Sequence, residues 1–366
     1  MNREEPYQTG SLSSSSMSRG FPGLIVLPDN PFSTCIPPPA APYNRGETSI
    51  NLGKEWAKLT LDPAFALAIF ALGLAFGSFL NVCIYRLPQD LSVIHPGSAC
   101  PKCEQPIRFY DNVPVLSWLI LRGRCRHCKA TISPRYLVVE LLTATLFLAC
   151  YAYFGPNLAA LKYCTFGFLL VGLIFTDAET QLLPDKLTLP GFVLGLLFSL
   201  VVPVNDLLSK MLLGLVYEPA ASASSPWLSL LQALMGAAAG ASFIYGAGEI
   251  YLRARGVEGM GFGDVKLMAM VGAFLGIRLT IFTLFSASIV GSLAGLWTVL
   301  VVWIKRTRRR MVRHHEPASV ARRHGWESAS IALRRFPMPF GVFLGSMAMV
   351  ASFFGDQFFR WYWRLL

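Results

Sequence analysis

Residues 158–176 read LAALKYCTFGFLLVGLIFT, with Lys162 the sole charge, and the next residue is Asp177. Wound as a helix at about 1.5 Å per residue, the run is about 28 Å long, close to the roughly 30 Å hydrocarbon thickness of a bilayer. It is apolar on every face, whereas a surface helix of a soluble protein keeps a polar face. Comparable runs recur outward from it, approximately at 63–86, 136–154, 187–204, 227–252, 265–279, 280–304 and 338–361, with Arg278 interrupting the sixth of the full set. The fold expected is therefore an all-α polytopic membrane protein with about eight transmembrane helices. Composition agrees: 54% of the 366 residues are hydrophobic and 14% are charged, against roughly a quarter charged in soluble domains. An ordinary soluble enzyme is excluded. Residues 1–60, with the serine run Ser13 to Ser16 and Pro37 to Pro39, read as a disordered N-terminal extension.

The net charge of +11 is placed by the loops. Residues 87–135 carry Lys102, Arg108, Arg122, Arg124 and Arg126, and the 305–337 loop carries Arg308, Arg309, Arg310, Arg322 and Arg323. Both are expected in the cytoplasm by the positive-inside rule, while 205–226, whose only base is Lys210, lies outside. That topology accounts for the excess of base, and no nucleic-acid partner is expected. It also puts 177–186 and 253–264 on the cytoplasmic side. After the first span, 61–86, comes a small cytoplasmic domain, 87–135; the remaining spans and their basic loop fill 136–366.

Four of the eight cysteines form two knuckles, Cys100 with Cys103 and Cys125 with Cys128. Paired CxxC knuckles supply four thiolates for tetrahedral zinc. Two disulfides are the alternative, which a reducing cytoplasm disfavours. Four sulfurs close the coordination shell, so the metal is read as structural. His127 is a competing ligand inside the second knuckle.

Carboxylates at membrane depth are costly and point to function. Asp177 ends the third span, and Asp264 opens the sixth after alternating glycines, in the stretch GFGDVK at 261–266. Two carboxyl groups sharing one proton can act as base and acid on water and an amide. The bland readings are a solvated helix-end charge for Asp177 and a helix N-terminal carboxylate, or a partner of Lys266, for Asp264. Glu179 and Asp185 are rivals for the first position, and Asp185 is also a candidate cap of the fourth span. A transporter is disfavoured because both aspartates sit at span ends; a zinc module on a membrane anchor remains the other class.

These residues resemble the type IV prepilin peptidases, the GxGD-type aspartic proteases. The resemblance runs from about 60 to 355 and rests on ordered motifs: GSFLNV at 77–82, YRLP at 85–88, NVPVLSW at 112–118 with RGRC at 122–125, Arg135-Tyr136 with VELL at 139–142, Asp177 with LPD at 183–185, GFGDVK, and PFG at 339–341. It implies cleavage of basic leaders after a Gly in prepilins or type II secretion pseudopilins at the bacterial inner membrane. It implies further that Asp177 and Asp264 are catalytic, that the new N-terminus is methylated from S-adenosylmethionine, that Gly123 serves methyl transfer, and that the four cysteines mark bifunctional members.

Overall fold

The structure is a computed structural model that describes residues 62–204, 206, 211–213, 225–256, 261–314, 317–335 and 339–365. The expected extension at 1–60 and nearly all of 205–226 lie outside the described residues. The elements are α1 (Pro63–Arg86), the short α2 (Leu116–Ile120), α3 (Arg135–Phe154), α4 (Leu158–Thr180), α5 (Asp185–Val201), α6 (Pro226–Arg255), α7 (Phe262–His314), α8 (Ala318–Arg335) and α9 (Phe340–Leu365). Among the described residues there is no strand beyond two isolated bridges, Ala99 with Pro106 and Arg124 with Thr131.

Helix ends follow local chemistry. Asp62 accepts the Ala64 N–H at 2.9 Å and Pro63 occupies the first turn of α1. Asn157 caps α4 by accepting the Ala160 N–H at 3.0 Å. Asp185, expected as a cap, is instead the first residue of α5 and makes no capping bond. Its carboxylate is drawn away by Lys266. α4 runs to Thr180, so Asp177 lies inside its last turn rather than beyond it.

Among the described residues, six helices are long and apolar enough to cross a membrane: Pro63–Gln89, Arg135–Phe154, Leu158–Thr180, Pro226–Arg255, Phe262–Val312 and Phe340–Arg364. The sequence reading reached eight because it added α5, which has 17 residues, and divided α7 in two. α7 is indeed broken, at Gly276 (φ 77, ψ 176) rather than at 279–280. Gly240 of α6 lies against both Met268 and Thr280, and Gly236 against both Gly272 and Gly276. In an unbroken helix Met268 and Thr280 would stand about 18 Å apart. α7 therefore doubles back, its 262–275 arm antiparallel to α6 and its later arm parallel. Asp206 accepts the first free N–H groups of the second arm, from Ile277 at 3.1 Å and Arg278 at 3.4 Å. Arg278 pairs with Asp356 of α9.

α1 and α4 run side by side in the same direction: Phe76 meets Phe168 at 5.7 Å between ring centres, and Leu80 packs on Gly172. The same offset places Tyr85 about level with Asp177. Residues 305–337, expected as a loop, are mostly helical. α8 folds back along the end of α7, with the Trp303 indole donating to the Arg322 carbonyl at 3.0 Å and Gly325 packed on Thr307.

A side chain at Gly276 would be strained by its positive φ and would meet Val204 Cγ1 at 2.9 Å. Gly276→Ala should cost about 1–3 kcal/mol and lower the thermal midpoint in detergent; an unchanged midpoint would contradict the reversal.

Candidate active site and metal centre

The two knuckles are built alike. Cys100 N–H donates to the Gln105 carbonyl at 3.0 Å and Cys125 N–H to the Ala130 carbonyl at 2.8 Å, while the N–H groups of Glu104 and Lys129 return to the carbonyls of Cys100 and Cys125. Glu104 and Lys129 share φ 57. The loops thus present their cysteines to one point. The four Sγ atoms lie within 4.8 Å of one another, with Cys100 to Cys128 at 3.8 Å and Cys103 to Cys125 at 4.0 Å. Tetrahedral zinc with bonds of about 2.3 Å needs sulfurs about 3.8 Å apart, so the set fits zinc. A disulfide needs about 2.05 Å. His127 is not part of the group.

The thiols also show why a cation suits them. N–H groups of Lys102 and Cys103 hold Cys100 down at about 6. The Gln105 N–H pulls Cys103 the same way, but desolvation and the three neighbouring thiols outweigh it and push Cys103 up to about 11. Four sulfurs this close ionise together only around positive charge. Asp111 clasps Arg126 through contacts of 2.8 and 2.5 Å, which holds its carboxyl below the usual range and ties the two halves of the loop.

Asp177 and Asp264 are brought together from different helices. They are 5% and 8% exposed and act on one another electrostatically. Asp177 is held by α9, whose Val342 N–H donates to its Oδ2 at 3.0 Å. Leu183 packs between the glycines that neighbour them: a Cβ built on Gly263 would lie 2.9 Å from Leu183 Cβ, and one on Gly341 would lie 3.3 Å from Leu183 Cδ1. The same Cβ on Gly341 would lie 2.9 Å from Asp177 Oδ2, so only a glycine lets α9 approach this closely.

The rivals are engaged elsewhere. Asp185 binds Lys266 at 2.6 and 2.7 Å, and Glu179 pairs with Arg135. Lys266 therefore does not neutralise Asp264. The role of Val342 and Gly341 was missed because their contact with Asp177 spans 165 positions. The only signal was the PFG motif, quoted without a task. Gly123, at φ +63, packs on the Trp118 ring, where a Cβ would come within 2.8 Å, and its N–H and carbonyl bond to the Trp118 carbonyl and the Ile132 N–H at 2.8 and 2.7 Å. It is a tight turn between α2 and the second knuckle, without visible contact to the aspartates.

Metal analysis should find about one zinc per purified chain. Cys100→Ser should release it and expose residues 95–130 to protease; zinc-free protein with an intact loop would contradict the fit.

Comparison with known proteins places this geometry in a family. Residues 71–154 match the bacterial peptidase A24 N-terminal domain, and residues 163–296 match the type IV leader peptidase family. A protein of Aeromonas hydrophila named prepilin leader peptidase/N-methyltransferase is 33% identical over 318 residues, covering 80% of this chain and 92% of its own. Proteins of the same name from Myxococcus xanthus and Klebsiella pneumoniae are each 38% identical, over 242 and 214 residues, covering 65% and 57% of this chain and 64% and 84% of theirs. No solved structure matches. With both halves matched in order across most of its helices, the chain belongs to the type IV leader peptidase family.

Proposed function

We propose that this protein cleaves the basic leader from type IV prepilins or type II secretion pseudopilins and then N-methylates the exposed amine. The observation that carries the reading is the burial of Asp177 and Asp264 within electrostatic reach of one another at the ends of different helices. Sharing one proton, the pair leaves one carboxylate to take a proton from water while the other, protonated, polarises the scissile carbonyl next to a Gly. Water attacks the carbonyl carbon, and the C–N bond then breaks as the leaving nitrogen takes up a proton.

The further assignments come from topology and family. Counting α5 and each arm of α7 gives eight crossings, with the knuckles and both aspartates at the cytoplasmic face of the bacterial inner membrane. Cys100, Cys103, Cys125 and Cys128 would hold a structural zinc ion. S-adenosylmethionine would supply the methyl group, and Gly123 would serve that step by shaping the turn beside Trp118. Lipid covers the apolar faces, and no nucleic acid is involved.

Purified protein incubated with a prepilin should release a leader and a mature chain carrying an added methyl, both resolved by mass. Asp177→Asn or Asp264→Asn should abolish cleavage. Asp185→Asn should leave appreciable cleavage, because that residue only pairs with Lys266. Near wild-type processing by Asp264→Asn would defeat the reading. Gly341→Ala, which forces a carbon onto Asp177 Oδ2, should slow cleavage by about 10- to 100-fold with the fold kept; an unchanged rate would mean that α9 does not set the position of Asp177.

A further inference from the structure

Two of the motifs that carry the family resemblance, 77–82 and 112–118, take no part in cleavage or metal binding, yet they meet. Segment 93–98 and the turn at Pro114 lie over α1 and line a half-open cavity of about 390 Å³, within the range of small-molecule sites. Its walls include Ser78, Phe79 and Arg86 from α1, and Ile94, Ser98 and Asn112 from the loop. These walls are already fixed. Arg86 donates to the carbonyls of Ser92 at 3.0 Å and Gly97 at 3.1 Å. Behind the cavity Glu140 of α3, 6% exposed, accepts the Val115 N–H at 2.7 Å and is hydrogen-bonded to Ser78, joining both motifs to the bundle.

The cavity also lies at an informative depth. By the register of α1 on α4, residues 78–86 stand level with 170–178, so the cavity brackets the depth of Asp177. A substrate anchored by an apolar helix keeps its depth in the bilayer after its leader is cut. Its new amine therefore stays at the level of Asp177, and whatever modifies it must act at that level.

We propose that this cavity binds the methyl donor, a sulfonium nucleoside of the S-adenosylmethionine class; the inference rests on the methyltransferase reading above. Phe79 and Ile94 offer apolar faces for the base, while Ser78, Ser98 and Asn112 offer hydrogen bonds to the ribose and amino-acid portion. The guanidinium of Arg86 keeps N–H groups beyond the two it uses, and these suit the donor's carboxylate. In the transfer the neutral amine's lone pair attacks the methyl carbon, the C–S bond breaks with its electrons passing to sulfur, and the product is an N-methylammonium and a neutral thioether. The mature amine must first lose a proton to water. Only a lateral shift along the membrane separates cleavage from methylation.

The test is ultraviolet cross-linking of isotopically labelled S-adenosylmethionine to the purified full-length protein, followed by peptide mapping, alongside cleavage and methylation of a prepilin. Label should fall in peptides containing 78–86, 93–98 or 112–114. Ser98→Trp, which fills the cavity, should lose at least about tenfold in labelling and methylation while still cleaving, and Ser98→Ala should label normally. Label confined to other peptides, or a cleaving Ser98→Trp variant that labels like wild type, overturns the assignment. If Ser98→Trp fails to cleave and so fails to fold, the wild-type map decides alone. Wild-type protein that cleaves but neither labels nor methylates overturns the methyltransferase reading and this site with it.

Discussion

Asp177 reaches its position because the Val342 N–H takes its Oδ2 and because Gly341, beside it, has no side chain to hold α9 away. Leu183 then fills the gap between Gly341 and Gly263, so the segment that brings Asp264 seats against the segment that brings Asp177. Three stretches far apart in sequence close on one leucine. A buried carboxylate is expensive unless hydrogen-bonded, and the N–H at the start of α9 meets that need without bringing a neutralising charge. The bases nearby are directed elsewhere: Lys266 to Asp185 and Arg135 to Glu179. The ion pairs stand around the aspartates and not on them.

The knuckle region depends on a different interaction. Residues 87–135 contain short turns, α2 and few buried apolar side chains, which is too little to fold a unit of this size unaided. Four converging sulfurs and the Asp111–Arg126 clasp supply the missing order, and Glu140 fastens the unit to α3 through Val115.

Much of this was legible in sequence because membrane spans and zinc knuckles are local patterns. Nineteen largely apolar residues before Asp177 specify a span, and CxxC repeated specifies a metal set. The missed features are all non-local or ambiguous. Gly276 breaks α7, yet with 31 glycines in the chain no single one announces a reversal; Arg278 drew attention instead because a charge interrupts an apolar run. α8 was read as loop because its basic residues hide a narrow buried seam of Ala321, Gly325 and Ala329. Asp185 follows a proline and resembles a cap, but Lys266, 81 positions away, takes its carboxylate. Topology led to the expectation that Asp177 and Asp264 lie on one side of the membrane, whereas the part played by α9 in holding Asp177 had no local signature.

The central claim is that two aspartates work as one unit. The decisive measurement is the residual rate of prepilin cleavage in Asp177→Asn, Asp264→Asn and the double variant, compared at equal amounts of folded protein. A unit loses everything when either member is lost, so the double variant should be no slower than the slower single variant. Losses that multiply across the pair, or appreciable cleavage by either single variant, would contradict the account.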